Sequence, residues 1–208
     1  MKDIDTIIFD FNGTILDDVD LCLNILNKML TERGYSPVSK EKYLEIFTFP
    51  VQDYYVKAGF EFDKYPFSEL AVEFIDLYQK ASLNCDLYPS LIPFLNKHQD
   101  KRLLILSASH IDKLNEQVDH FKIRKYFDDI LGTSTIEAPG KLDVALKYIE
   151  SHHVDPNRTV FIGDTLHDYE VAKALNVHCI LVAKGHQSKS RLMQSGAIVV
   201  NDINEINF

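Results

Sequence analysis

The chain has 208 residues, 46% of them apolar and 25% charged, the composition of a folded globular protein and not of a disordered or collagenous one. Lys plus Arg number 22 against 31 Asp plus Glu, a formal charge of −9, so no basic surface for a nucleic-acid backbone is expected. Three scattered cysteines, Cys22, Cys85 and Cys179, form no CxxC pair, which argues against a zinc knuckle or disulfide framework. The opening residues lack a signal-peptide pattern, and no run approaches the roughly 18 apolar residues of a membrane span. The expectation is a cytoplasmic protein with neither nucleic-acid nor membrane partners. Nothing in the composition specifies an oligomeric state.

The first apolar run, residues 4–9, is short and rich in Ile, which suits a buried strand. Asn12-Gly13 then signals a turn. From residue 17 to 34 the apolar positions Cys22, Ile25, Leu26, Met29 and Leu30 recur at helical spacing, with Asp17 and Asp18 near the start and Gly34 as a stop. Helical pieces follow at 39–47, 51–58 and 67–84, and no strand is expected between 15 and 85. After Pro89 the texture alternates. The pattern predicts helices at 90–98, 112–121, from 141 onward and at 168–175. Strands are predicted at 102–106, 129–131, 159–162, 179–182 and 197–200. Such alternation indicates an α/β fold, a parallel Rossmann-like sheet covered by helices. The division expected is a core domain of residues 1–14 and 86–208, with an all-helical domain, residues 15–85, inserted after the first strand.

In open α/β sheets ligands bind beyond the carboxyl ends of the strands, and three such ends carry chemistry. The first strand ends in Asp10-Phe11-Asn12-Gly13-Thr14, the strand at 102–106 in Ser107-Ala108-Ser109, and the strand at 159–162 in Gly163-Asp164, followed by Asp168. Lys141 opens a helix after Pro139-Gly140. A carboxylate such as Asp10 can attack phosphorus directly. Two carboxylates about 5 Å apart repel by roughly 3 kcal/mol at an effective dielectric of 20. Mg²⁺, which prefers oxygen ligands, relieves that conflict.

This set resembles the haloacid dehalogenase superfamily of phosphatases. Asp10-Phe11-Asn12-Gly13-Thr14 is similar to its first motif, DxDGT. Ser107 matches the second and Lys141 the third. Gly163-Asp164 with Asp168 matches the fourth, GDxxxD. The helical insertion is similar to the cap of phosphoglycolate phosphatase and β-phosphoglucomutase relatives. The resemblance implies Mg²⁺ held by the Asp10 carboxylate, the Asn12 backbone carbonyl and Asp164, with Asp168 ordering that shell. It implies Asp10 as nucleophile, Ser107 and backbone N–H groups near Ala108 on phosphoryl oxygens, and Lys141 neutralising charge. Thr14 is expected to hydrogen-bond within its turn and position the motif. Thr48 and Gln52, between two cap helices, are candidates for leaving-group contacts.

One position departs from that pattern. The superfamily's hydrolases place an Asp two residues after the nucleophile, where it protonates the leaving oxygen and later activates water. Here that residue is Asn12, and an amide has no proton to exchange near neutral pH. Losing general acid–base catalysis typically costs roughly 10²–10⁴ in rate. The implied function is a Mg²⁺-dependent phosphatase acting on a small phosphorylated metabolite through an aspartyl phosphate. The alternatives are a slow phosphotransferase or a non-catalytic phosphometabolite-binding protein. A dehalogenase fits less well, because that reaction needs no metal carboxylate. His167 has a suitable pKa for proton transfer but reads first as a solvent-facing loop histidine. His152-His153 reads as a polar helix end, and Tyr54-Tyr55 as packing.

Overall fold

The computed structural model describes residues 3–134 and 140–208; Pro139, part of the third predicted motif, lies outside the described residues. Chain order is β1 (Thr6–Phe9), β2 (Leu16–Asp17), α1 (Val19–Glu32), α2 (Lys40–Ile46), α3 (Val51–Ala58), α4 (Phe67–Ser82) and β3 (Asp86–Leu87). It continues with α5 (Leu91–Lys97), β4 (Arg102–His110), α6 (Ile111–His120), β5 (Asp129–Thr133), α7 (Lys141–Ser151) and β6 (Thr159–Gly163). The last elements are α8 (Leu166–Ala174), β7 (His178–Val182), α9 (Lys189–Leu192) and β8 (Ile198–Val200).

Six strands form one sheet in the order β5-β4-β1-β6-β7-β8, parallel at every pairing. The α/β, Rossmann-like expectation is met. Side chains alternate across a strand, and both faces are apolar. Ile7, Phe9, Leu103, Ile105, Val160 and Ile162 pack in one core, while Ile8, Leu104, Leu106 and Phe161 pack in another. A sheet buried on both sides needs uninterrupted apolar strands, which explains Thr6–Phe9 and Thr159–Gly163. β1 sits at the centre, with the strand order running away from it on both sides, so a crevice opens at its carboxyl end.

The helices α1 to α4 hold a separate core, including Leu26, Met29, Leu30, Tyr43, Tyr54, Tyr55 and Leu70. The periodicity of residues 17–34 predicted this face, and Tyr54 and Tyr55 are packing residues as expected. One expectation is corrected: the stretch 15–85 is not free of strands. Leu16–Asp17 pairs antiparallel with Asp86–Leu87, Leu16 opposite Leu87 and Asp17 opposite Asp86. Two residues are too short to show an alternating pattern, and the helix therefore starts at Val19. Among the described residues no helix is long and apolar enough to cross a membrane.

Candidate active site

Two strand ends and a helix start converge. Asp10 leaves β1, Asp164 leaves β6, and Lys141 reaches in from the first residue of α7. Lys141 Nζ donates to Asp10 Oδ1 at 2.8 Å and to Asp168 Oδ1. The lysine is only 4% exposed and lies over the Phe161 ring, 5.4 Å from its centroid. Asp168 turns its other oxygen to the start of α8. Oδ2 accepts from the Asp164 and Thr165 backbone N–H groups and from Thr165 Oγ1 at 2.7 Å, completing a capping box with Thr165. Asp168 thus ties α8 to Lys141. Both carboxylate oxygens of Asp164 also accept, from Thr14 Oγ1 at 3.0 Å and from the His186 backbone N–H at 2.7 Å. The Thr14 N–H bonds within its own turn, to the Phe11 carbonyl at 3.4 Å, as expected, while its hydroxyl also bridges β1 to β6.

The three acids differ in access. All three are buried: Asp164 and Asp168 are 0% and 1% exposed and Asp10, the most exposed of them, is 8% exposed. Burial pushes the Asp10 carboxyl up to about 8, against the pull of Lys141 and with the push of Asp168 and Asp164. Burial likewise lifts Asp164 to about 6, while His186 opposes. Asp168 stays below the usual carboxylate range because, against its burial, Lys141 and Thr165 stabilise the anion. Lys141 is held above the ordinary lysine value; its burial acts the other way, but Asp10 and Asp168 prevail.

These shifts set a pH trend for the metal-free protein. Asp10 and Asp164 bind protons more tightly folded than unfolded, so their contribution is full below about pH 4 and is lost as pH rises through about 6 and 8. Melting temperature without divalent metal is expected to fall by roughly 5–15 °C between pH 5 and pH 8.5. Differential scanning fluorimetry in chelator checks this; a flat or rising curve contradicts it.

The donor set suits a hard dication. Asp10, Asp164 and Asp168 each bring a carboxylate oxygen within 4.8 Å of the others, all buried, beside a single lysine. Gly13, at φ +71°, and Gly185 close over Asp164 so tightly that a Cβ at either would collide with its carboxylate. The backbone itself forms the cradle. Oxygen donors with excess negative charge are the ligands Mg²⁺ takes.

The remaining predicted residues divide into those near the cluster and those apart. Ser107, 2% exposed, accepts the Ser109 N–H at 3.1 Å, at the point where the β4–β5 register shifts after Leu106. The Ala108 carbonyl accepts from Thr133 Oγ1 at 3.2 Å. Ser109 Oγ donates to Asn12 Oδ1 at 3.3 Å, linking the end of β4 to the β1 turn. Thr48 and Gln52 are not drawn into the network: the Thr48 hydroxyl points at the Phe49 carbonyl, 3.4 Å away, and Gln52 is exposed. Gln52 stands in the first turn of α3 and not between helices, but the loop carrying Thr48 faces α8, with Phe49 stacked on His167 at 4.6 Å between ring centroids. His167 stands in the first turn of α8, not in a solvent-facing loop, and burial holds it below the ordinary histidine value.

Sequence reasoning missed Asp18, Tyr78 and the 185–191 segment. His186 is 4% exposed. Its Nδ1 meets the Tyr43 hydroxyl at 2.7 Å, its Nε2 meets Asp18 Oδ1 at 3.2 Å, and its ring stacks on Phe47 at 4.8 Å. Burial alone would lower its pKa, but Asp18 and Asp164 raise it to about 9. Gln187 and Arg191 both donate to the Phe47 carbonyl, at 2.9 and 2.7 Å. These residues follow β7, a fourth strand end, where the same crevice rule would have directed attention.

Known proteins resemble this chain in sequence and fold. A phosphoglycolate phosphatase of Pseudomonas putida is 22% identical over 207 residues, covering 95% of this chain and 76% of that protein. A phosphoglycolate phosphatase of Vibrio parahaemolyticus is 26% identical over 184 residues, covering 83% and 80%. Among solved structures, a haloacid dehalogenase-like family hydrolase from Streptococcus pneumoniae superposes with TM-score 0.84 at 20% identity, covering 99% of this chain and 97% of that one. Mycobacterium tuberculosis Protein Tyrosine Kinase A superposes with TM-score 0.80 at 20% identity, covering the same shares, so the fold by itself does not fix the reaction. The profile described as haloacid dehalogenase-like hydrolase matches residues 7–182, from the second residue of β1 to the last of β7. That span includes all the strand ends that assemble the carboxylates and the lysine, and the chain belongs to the haloacid dehalogenase-like hydrolase family.

Proposed function

We propose that this hydrolase is a Mg²⁺-dependent phosphatase for a small phosphorylated metabolite, with Asp10 as nucleophile. The observation that carries the reading is the Asp10–Lys141–Asp168 chain beside Asp164, three buried acids of which Asp10, at 8%, is the most exposed. The relatives named phosphoglycolate phosphatase favour a small acid phosphate as substrate. Asp10, the Asn12 backbone carbonyl and Asp164 would hold the ion. When bound, it supplies positive charge against the phosphoryl oxygens and offsets repulsion among the acids.

The chain's own groups then act as follows. An Asp10 carboxylate oxygen attacks phosphorus, the P–O bond to the metabolite breaks, and the leaving oxygen takes a proton from water. Lys141 holds Asp10 in line and balances charge on the transferring group. Ser107 and the Ala108–Ser109 backbone receive phosphoryl oxygens. Water then cleaves the aspartyl phosphate, releasing phosphate and restoring Asp10. Residues 15–85 serve as a cap over the site. The Phe47–His186 and Phe49–His167 stacks support closure of that cap and exclusion of water.

The expected result is phosphate release from a panel of phosphorylated metabolites that needs added Mg²⁺ and falls to background in chelator. Release undiminished by chelator, or none from any ester, overturns the reading. Asn12 favours a second reading, slow turnover with a long-lived phospho-Asp10, because its amide supplies no proton. Intact mass after a brief incubation with substrate shows a one-phosphoryl increase in that case.

A further inference from the structure

Asn12 is more than a missing acid. Its Nδ2 donates to Asp18 Oδ2 at 2.9 Å and also to the Tyr78 hydroxyl, and that hydroxyl donates onward to the same Asp18 oxygen at 2.6 Å. Asp18 Oδ1 accepts the Gly13 N–H at 2.9 Å and faces His186 Nε2 at 3.2 Å. The carboxylate is fully buried, 0% exposed. A carboxylate has about four lone-pair sites; these four donors fill them, and the Cys22 thiol adds a fifth, weaker contact to Oδ2 at 3.8 Å. Asp18 therefore has no free site to take a substrate proton. Its role is to hold other groups in place.

An anion so placed dictates what can stand at position 12. The amide satisfies it with N–H on one side and accepts Ser109 Oγ with its oxygen on the other. The opposite flip would set the amide oxygen against the carboxylate. A carboxylate at 12 would set two like charges face to face at hydrogen-bond distance, with the single Tyr78 proton to share between them, which is destabilising.

We propose that Asp18 is a positioning residue that fixes the side chain at position 12 as an oriented amide, so that residues 12 and 18 form an obligate amide–carboxylate pair and an acid–base carboxylate can be installed at 12 only when 18 gives up its charge. The pair joins the β1 turn to the start of α1. Through Tyr78 and His186 it also joins α4 and the segment after β7. It thus sets the same group at the reacting centre and at the contact between the helical block and the sheet. The kinetic part of this inference rests on the phosphatase reading; the structural part does not.

The test is a four-protein cycle of wild type, Asn12→Asp, Asp18→Asn and the double variant, read by melting in chelator and by phosphate release with Mg²⁺. In the double variant the hydrogen bond survives with its direction reversed, Asn at 18 donating to Asp at 12. Asn12→Asp alone is expected to lower the melting temperature by roughly 5–10 °C and to give no gain in kcat. The double variant is expected to melt well above the value obtained by adding the two single shifts. Its kcat is expected to exceed wild type by roughly 10–100-fold, with KM within a few-fold. A double variant that folds where Asn12→Asp does not is the same rescue. Additive melting shifts, failure of both variants to fold, or a faster and equally stable Asn12→Asp single variant overturns the pairing. Non-additive melting without phosphate release from any of the four upholds the pairing and removes the phosphatase reading instead.

Discussion

Replacing Asp10 with Asn is expected to lower kcat for phosphate release by roughly 10⁴-fold or more while leaving the protein folded. The amide cannot form the acyl phosphate, and removing a covalent nucleophile typically takes away nearly all of the chemical step. Fold and function part company here for a stated reason. The cluster holds three buried acids against one lysine, and burial has already lifted Asp10 to about 8. Above that pH, deleting its charge relieves the metal-free protein, and the amide oxygen can still accept from Lys141 Nζ. The melting temperature in chelator is therefore expected to stay level or rise. Single-turnover assays and scanning calorimetry on the same preparation check both halves. A variant that keeps wild-type turnover places the nucleophile elsewhere.

Replacing Lys141 with Met has the opposite balance, damaging both. The side chain is similar in volume but lacks the charge that Asp10 and Asp168 share. Breaking a buried ion pair by removing one partner typically costs about 3–5 kcal/mol. For a chain of this length that is a fall of about 10 °C in melting temperature. The ammonium also balances charge on the transferring group, and the loss of one such contact lowers kcat by roughly 10²–10³. Because Asp168 would lose the partner of its Oδ1 while still capping α8 through Oδ2, the helix start is expected to persist. Circular dichroism that keeps its helical signal alongside the lower melting temperature would show this. A Lys141→Met protein as stable and active as wild type would remove the lysine from the site.

How much of this was legible in the sequence follows from the range of each signal. Continuous apolar runs such as Val160-Phe161-Ile162 and the helical stripe of Leu26, Met29 and Leu30 are local and strong, and they placed the sheet and the helical block. Asp10, Lys141, Asp164 and Asp168 were found because strand ends and short motifs carry them together. Leu16–Asp17 escaped because a two-residue strand exists only through its partner Asp86–Leu87. Asp18 read as an ordinary acid near a helix start, and nothing near it in sequence revealed His186 and Tyr78 as partners 168 and 60 residues away. Thr14 was expected to act locally, yet its hydroxyl crosses to Asp164, 150 residues on. Long-range polar pairing is set by tertiary placement, which periodicity does not encode.

The antiparallel pair Leu16–Asp17 and Asp86–Leu87 has an engineering consequence. The chain leaves the sheet and returns to it through adjacent strands, so both seams of the helical block lie side by side. Transplanting a foreign block there asks of the chain ends that they meet one residue-pair apart, and the six-stranded ladder is untouched by the splice. The grip of Gln187 and Arg191 on the Phe47 carbonyl is what a donor block would have to reproduce, which makes that carbonyl the docking coordinate for any chimaera.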